Sequence, residues 1–203
     1  MVYQGLLLDF GGVLTSSLYG RMVEFCTELG LAPDAMVAAL ARSPDAAAVM
    51  ALAEAGRVSQ REFELTVARQ LGVPSDGLVE RLVSGLLPRT EMFELAGRAR
   101  AAGVRTGVLS NSLGGGGYDI YTGYDLNGLF DVVVISHEVE LRKPERPIYE
   151  LAAAKLGLRP RDCALVDDTE ANVLAARDLG MAAVHFTGEP GQLAEVERLI
   201  GLT

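Results

Sequence analysis

The order of apolar and polar positions divides the chain into three parts. Residues 6–8 are an apolar run that predicts a buried strand, and this run leads directly into Asp9. Residues 19–87 have apolar positions at helical spacing and no convincing strand pattern. From Thr90 onward, helical patterns alternate with short apolar runs. Because such alternation indicates parallel strands joined by right-handed crossovers, we predict an α/β fold, a doubly wound (Rossmann-like) parallel sheet with an inserted helical domain.

Glycine, proline and capping residues set the predicted helix bounds in the insertion. Ser59 and Glu62 have the spacing of a capping box, and Gly72 and Pro74 follow the end of the helix that this box opens. The five predicted helices cover residues 19–29, 34–41, 45–55, 59–71 and 76–86. We therefore assign residues 16–88 to the helical insertion, and residues 1–15 and 89–203 to the core.

The second half of the chain supplies the remaining strands and helices of the core. Thr90 is the predicted N-cap of the first helix, and Gly103 is expected to end it. Predicted helices cover residues 90–102, 147–156, 170–179 and 193–200, and predicted strands cover residues 105–110, 132–136, 164–166 and 182–186. The glycine run at 114–117 lacks the lysine and hydroxyl of a P-loop, so we interpret it as a flexible loop near the site.

Composition and charge exclude several classes of function. The chain is 49% hydrophobic and carries a net charge of −9, which argues against binding to nucleic acid phosphates. No apolar run reaches the length of a membrane span and the N-terminus lacks the pattern of a signal peptide, so we expect a cytoplasmic protein that does not interact with membranes. Cys26 and Cys163 lie far apart in apolar surroundings and are predicted to be buried thiols.

Polar side chains follow three of the predicted strands. Asp9 follows the first strand, Ser110 and Asn111 end the second, and Asp167 and Asp168 end the fourth. Parallel strands place their carboxyl ends at one edge of the sheet, so we expect these residues to meet there. Three carboxylates in one crevice repel each other unless a cation lies among them, and oxygen ligands favour Mg²⁺. The sequence therefore predicts a magnesium site at this edge.

Lys143 is a candidate for the compensating positive charge. Only two lysines occur among the 18 basic residues, and Lys143 lies just before a helix that begins with proline. Together with Asp9, the predicted metal and the Ser110 hydroxyl, this lysine completes the parts needed for phosphoryl transfer to an aspartate. As a plain surface lysine it would have no role, and only its neighbouring sequence argues against that reading.

Four short segments, in this order, resemble the signatures of the haloacid dehalogenase superfamily of phosphohydrolases. They read LLLDFGGVLT, VLSNS, LRKPERPIY and ALVDDTEAN, and the resemblance covers essentially the whole chain. Each motif alone is a weak signal, but four in order at plausible spacing are a strong one. The helical insertion lies where that superfamily has its helical cap. Within the superfamily, the chain looks most like the branch that includes the N-terminal phosphatase domain of soluble epoxide hydrolase.

The resemblance implies a role for each motif residue. Asp9 would attack phosphorus and form an aspartyl-phosphate, while Ser110, Asn111 and Lys143 would bind the phosphoryl group of a small phosphorylated metabolite. The residues implied as Mg²⁺ ligands are Asp9, Asp167, Asp168 and Gly11, the last through its backbone carbonyl. Of the acidic pair, we predict Asp168 as the direct ligand. The protein is expected to act as a monomer or a homodimer.

Gly11 departs from the family pattern, which has a second aspartate at this position. That aspartate protonates the leaving oxygen and later activates water, and a positioned acid or base contributes roughly 10² to 10⁴ in rate. Phosphonate hydrolases of the superfamily also lack it, but they use a cap lysine that residues 16–88 do not contain. Haloacid dehalogenases lack it too, but they carry no acidic pair in the fourth motif.

Two readings therefore stay open. The protein is a phosphatase whose leaving group needs little protonation, or whose proton comes from water or another side chain. Alternatively, it is a catalytically impaired phosphometabolite-binding or regulatory protein. His137 follows the third predicted strand and is a possible substitute proton donor, although a loop histidine that faces solvent or a backbone carbonyl is the more common case. We interpret His185 as structural.

Overall fold

The computed structural model describes residues 2–202 and contains a five-stranded, fully parallel sheet. The strands are, in chain order, β1 (Gly5–Leu8), β2 (Arg105–Ser110), β3 (Val132–Ile135), β4 (Cys163–Asp167) and β5 (Ala182–His185). Their order in the sheet is β3-β2-β1-β4-β5. The chain runs outward from β1 in both directions, which confirms the doubly wound topology and places the switch point between β1 and β4.

Helices fall into an insertion after β1 and a second set between and after the other strands. The insertion contains α1 (Leu18–Glu28), α2 (Ala35–Arg42), α3 (Pro44–Glu54), α4 (Gln60–Leu71) and α5 (Leu78–Val83). The core contains α6 (Thr90–Ala101), α7 (Leu126–Leu129), α8 (Ser136–Val139), α9 (Arg146–Lys155), α10 (Glu170–Asp178) and α11 (Gln192–Leu199).

Alternate residues of the strands pack against helices on opposite faces of the sheet. Leu6 and Leu8 of β1 belong to one hydrophobic cluster with side chains of α6, α7 and α11. Leu7 belongs to a second cluster with side chains of α9 and α10. All three leucines are fully buried. Because both faces are covered, the strands read as continuous apolar runs in the sequence.

The inserted helices form a small domain with its own core. Met36, Phe63 and Leu82 are buried in a third cluster, which α1–α5 share with a loop that follows β2. The two connections between this helical cap and the sheet run side by side. Thr15 and Pro88 form an antiparallel bridge. The next residue, Ser16, donates its amide to the Leu87 carbonyl, and its hydroxyl accepts from the Leu87 amide. The cap is thus attached by a paired, two-stranded neck.

Two further predictions concern membranes and thiols. Among residues 2–202, no single helix is long and apolar enough to cross a membrane, and only α2 and α3 taken together, across an 89° bend, have the length and composition. Cys26 and Cys163 are buried free thiols, as predicted. Burial raises the pKa of Cys163 to about 12, so this thiol stays protonated.

Some predicted element bounds were wrong. Thr90 does not cap α6: it is the first helical residue, and Arg89 is the N-cap, without a side-chain cap bond. The reason is that Arg89 is held by the first motif, through its amide to the Leu14 carbonyl and through its guanidinium to the Thr15 carbonyl. The last cap helix is shorter than predicted, since it begins only after Gly77, which has a left-handed backbone. The short helices α7 and α8 were not predicted.

The glycine run 114–117 contacts the cap, a contact that the prediction of a flexible loop did not include. The backbone amide of Gln60 at the start of α4 donates to the Gly115 carbonyl, at 3.1 Å. The Gln60 side chain exchanges two hydrogen bonds with the Tyr118 backbone. A Cβ at Gly117 would overlap the side-chain amide of Gln60. A side chain at position 117 would therefore displace the Gln60 side chain from its hydrogen bonds with Tyr118.

Candidate active site

Asp9 lies where β1 ends, beside the point at which the strand order reverses. The residue is mostly buried, and its Oδ1 accepts a hydrogen bond from the Phe10 amide at 2.7 Å. The chain then makes a tight turn over Phe10–Leu14, in which Gly12 has a φ of 77°. A side chain at Gly12 would overlap the Asp168 carboxylate. Glycine at position 12 therefore allows the first and fourth motifs to approach each other.

Lys143 bridges the carboxylates of two different strands. Its Nζ lies 2.9 Å from Asp9 Oδ1 and 2.6 Å from Asp167 Oδ2, and only 1% of the lysine is exposed. Asn111 holds the lysine in place, because its side chain donates to the Lys143 carbonyl and accepts from the Lys143 amide, each at 2.9 Å. Asn111, predicted to bind substrate, thus also has a positioning contact that the sequence did not show.

The adjacent acids Asp167 and Asp168 differ in how their oxygens are used. Asp167 is fully buried, with Oδ2 bonded to Lys143 and Oδ1 accepting from the Thr169 amide and from Asn172 Nδ2, each at 2.9 Å. Asp168 is partly exposed, and its Oδ1 has a long contact of 3.3 Å with the Thr169 hydroxyl. Asp167 is therefore committed to holding the lysine, whereas Asp168 presents free oxygen to the cavity.

The electrostatics of the group follow from burial and from the excess of carboxylates. Burial raises the pKa of Asp9 to about 8; Lys143 opposes this shift, while the charges of Asp167 and Asp168 add to it. Burial and the Asp167 charge also raise the pKa of Asp168. Burial by itself would lower the pKa of Lys143, but Asp167 and Asp9 outweigh it and hold that pKa above its ordinary value. The lysine is thus a permanent cation.

The donor set fits a hard divalent cation. One oxygen from each of Asp9, Asp167 and Asp168 lies within 4.8 Å of the others. Asp9 Oδ2 and Asp168 Oδ2 have no hydrogen-bond partner among residues 2–202, and three carboxylates face one ammonium. Oxygen donors with a net negative charge suit Mg²⁺, which needs only one or two carboxylates and keeps several waters.

Ser110 lies at the end of β2, where its hydroxyl is fixed by a residue that sequence reasoning missed. The Tyr121 hydroxyl donates to Ser110 Oγ at 3.0 Å, and the Tyr121 ring packs edge-on against Phe10. Burial raises the pKa of Tyr121, so it remains a neutral hydrogen-bond donor. Tyr121 occurs in a polar aromatic stretch without a recognisable motif, and no signal in the sequence identifies it.

Gly11 borders the same cavity as Asp9, Ser110 and Lys143. Its backbone has φ −68° and ψ 128°, which any residue adopts. A Cβ built there would have only one neighbour within 4 Å, the Leu18 Cβ at 3.9 Å. Glycine at this position is therefore not required by the fold, in contrast to Gly12.

The two histidines lie outside this cavity. His137 is the second residue of α8, is partly buried, and its Nδ1 is hydrogen-bonded to the Ser112 hydroxyl. The expectation of a loop histidine facing solvent or a carbonyl was therefore wrong, and His137 borders a different cavity beside the glycine run. His185 Nε2 lies 2.9 Å from the Asp168 carbonyl, a structural contact behind the acidic pair.

An ion pair between the cap and the core closes one side of the cavity. Glu54 lies at the end of α3, and Arg142 precedes the bridging lysine. Glu54 Oε2 lies 2.6 Å from both Nε and Nη2 of Arg142. Burial raises the pKa of Glu54, and Arg142 opposes this shift. The two residues are 88 positions apart, and no pattern in the sequence pairs them.

Among curated proteins, three relatives illustrate the range of similarity. Acyl-CoA dehydrogenase family member 10 of Mus musculus is 25% identical over 98% of this chain, which spans only 19% of that protein. Sesquiterpene phosphatase astK of Aspergillus oryzae is 24% identical, over 73% of this chain and 77% of the relative. Bifunctional epoxide hydrolase 2 of Rattus norvegicus is 31% identical, over 38% of this chain and 14% of the relative.

Solved structures share the fold over the whole length. A HAD family enzyme from Bacteroides thetaiotaomicron superposes with a TM-score of 0.72 at 21% identity, covering 96% of this chain and 99% of the other. The same enzyme has been solved as a complex with magnesium and inorganic phosphate. The family profile of haloacid dehalogenase-like hydrolases matches residues 3–180. Fold, motif placement and this match agree: the chain belongs to the haloacid dehalogenase-like hydrolase family.

Proposed function

We propose that the protein is a Mg²⁺-dependent phosphatase that hydrolyses a small phosphorylated metabolite through an aspartyl-phosphate at Asp9. The observation that carries this proposal is the buried bridge of Lys143 between Asp9 and Asp167, beside a carboxylate of Asp168 with free oxygen. The Bacteroides enzyme, which shares the fold, binds magnesium and phosphate, and this supports the assignment.

The residues divide the chemistry as follows. Asp9 Oδ2 attacks phosphorus, the phosphorus–oxygen bond of the ester breaks, and the leaving oxygen takes the bonding electrons and a proton from water. Water then attacks the phosphorus of the aspartyl-phosphate, which releases phosphate and restores the Asp9 carboxylate. Lys143 and the Ser110 hydroxyl hold phosphoryl oxygens through both steps. Asp9, Asp168 and the Gly11 carbonyl would hold Mg²⁺, which would neutralise charge on the phosphoryl group.

Glycine at position 11 restricts the substrates that such a site turns over. Without a carboxylic acid there, the leaving oxygen departs with little help, so esters of acidic alcohols, phenols or acyl groups react best. A second candidate function, a binding or regulatory protein on the same fold, is favoured by the same observation, since the residues that hold phosphate do not depend on Gly11.

The test is release of phosphate from a panel of phosphate esters and acyl phosphates, with and without Mg²⁺. We expect activity that requires the metal and disappears in Asp9→Asn. The matched control is Asp34→Asn, because Asp34 is exposed and makes no side-chain cap bond. Activity that survives Asp9→Asn would refute the proposal. Metal-dependent binding of phosphate without turnover across the panel would favour the binding protein.

A further inference from the structure

The cavity above Asp9 and Lys143 is large enough for more than a phosphate group. Its volume is about 420 Å³, within the range of small-molecule sites. The sheet edge forms its floor, where the charged groups described above lie. The cap forms its roof and the loop after β2 forms one wall. In the proposed phosphatase the floor holds the phosphoryl group of the substrate. The roof and the wall therefore determine which alcohol portion of the substrate fits.

The roof and the wall are apolar. Their lining side chains come from α1, α3 and the end of the cap, and from the loop after β2; they are Met22, Met50, Val83, Leu86, Leu113 and Ile120. All six belong to or pack against the cap's hydrophobic cluster. Met50, Leu86 and Ile120 are only partly buried, so apolar surface remains uncovered inside the cavity. A hydroxylated sugar or an amino acid would find few hydrogen-bond partners along this surface.

The charged side chains above the floor neutralise each other. Glu54 and Arg142 are the ionisable groups of opposite charge there, and their two 2.6 Å contacts pair them. A carboxylate or ammonium on the substrate would have to break this pair or remain unpaired in a largely apolar space. Either outcome costs binding free energy, since a buried charge without a partner is unfavourable.

We infer that the alcohol portion of the substrate is apolar and uncharged and, by the leaving-group argument at Gly11, that the substrate is an aryl phosphate monoester. This inference rests on the phosphatase proposed above and specifies its substrate class. The alcohol fills the space under the cap, while its phosphate reaches the floor between Lys143 and Ser110. Hydrolysis adds one water and yields inorganic phosphate and the free alcohol.

Phenyl phosphates with different para substituents separate the tail from the chemistry. Methyl, ethyl, propyl and butyl groups change the acidity of the phenol very little, and so does a 2-carboxyethyl group, whose charge is insulated by two methylenes. For the native protein with Mg²⁺, kcat/KM should rise up to about fourfold for each methylene buried, which corresponds to ~0.8 kcal/mol. The carboxyethyl ester should react more slowly than the propyl ester of similar length.

A pair of variants locates the effect in the cavity. Met50→Gln keeps the length of a lining side chain but makes it polar, so the butyl-to-methyl ratio of kcat/KM should fall. Leu52→Gln is the control, because Leu52 lies on the same helix, is 39% exposed and does not border the cavity. That variant should keep the native ratio.

The outcomes distinguish this inference from the proposal beneath it. If no ester releases phosphate in an Asp9-dependent manner, the phosphatase assignment fails. If phosphate is released but the rate is independent of tail length, or is highest for the carboxyethyl ester, the phosphatase stands and the apolar substrate class is refuted. The substrate series on the native protein decides this even if Met50→Gln does not fold.

Discussion

Replacing Gly11 with aspartate tests whether proton transfer is the function that this site lacks. The backbone at Gly11 is in a region that any residue adopts, and an added Cβ would meet only Leu18, at 3.9 Å. The new side chain therefore enters without steric or backbone strain. Because Gly11 borders the same cavity as Asp9, the added carboxyl group reaches the space where the leaving oxygen departs.

The expected gain depends on the leaving group. A positioned acid contributes roughly 10² to 10⁴ in rate, which is about 3 to 5 kcal/mol in the barrier. An alkoxide is a poor leaving group and benefits fully, whereas a nitrophenolate needs little protonation. We expect Gly11→Asp to raise kcat/KM for alkyl phosphates by up to this factor and for 4-nitrophenyl phosphate much less. The measurement is the slope of log kcat/KM against the pKa of the leaving alcohol, with Mg²⁺.

Two matched variants separate proton transfer from other effects. Gly11→Asn has the same size and hydrogen-bonding geometry but no acidic proton, and Gly11→Ala tests the backbone alone. Both should keep the steep slope of the native protein, while Gly11→Asp should flatten it. An unchanged slope in Gly11→Asp, or an equal gain in Gly11→Asn, would show that proton transfer does not limit the native reaction.

Three other predictions concern the stability and the metal site. Lys143→Met leaves two buried carboxylates without their cation, so the free energy of unfolding measured in urea should fall by about 3 to 5 kcal/mol. Lys155→Met, at an exposed position, should change it little. Equal effects of the two substitutions would contradict the buried bridge. The Mg²⁺ affinity measured by calorimetry should rise with pH up to about 8 and then level off, because the metal needs the Asp9 carboxylate and the pKa of that group is raised; an affinity independent of pH below 8 would contradict this. Gly117→Ala should lower the free energy of unfolding by about 1 to 3 kcal/mol, because its methyl group overlaps the Gln60 side chain of the cap. Gly97→Ala, which has open space inside α6, should instead raise it by up to about 1 kcal/mol. A change of the same sign in both variants would refute the packing argument.

The strands could be predicted because buried parallel strands appear in the sequence as short, continuous apolar runs. Each observed strand lies within one or two residues of its predicted bounds, as β2 illustrates at Arg105–Ser110. Helix ends were less predictable where a distant contact sets them. Arg89 is the N-cap of α6 because it bonds to Leu14 and Thr15, 75 and 74 residues earlier. The local sequence around position 90 carries no information about that distant contact. Thr90 was therefore predicted as the N-cap.

Parallel topology also explains why the floor of the site was predictable while its walls were not. Asp9, Ser110 and Asp167 each end or follow a strand, so knowing the sheet is enough to bring them together. The pairing of Glu54 with Arg142, and of Tyr121 with Ser110, depends on how the cap and a loop fold back over that edge. Neither path follows a periodic pattern, and the contacts appear only in three dimensions.

The geometry explains how position 11 can lose its acid while the rest of the site is retained. Lys143 is paired with both Asp9 and Asp167 in a buried space, so losing the lysine leaves two carboxylates without their cation and destabilises the fold. Gly11 packs against almost nothing, and a carboxylate there would add a fourth negative charge to a crowded site. Without Mg²⁺, Gly11→Asp should therefore be less stable than the native protein, and added Mg²⁺ should recover more stability in the variant. Thermal unfolding with and without the metal measures this difference. If the variant responds to Mg²⁺ no more than the native protein does, its carboxylate lies outside the field of the metal site.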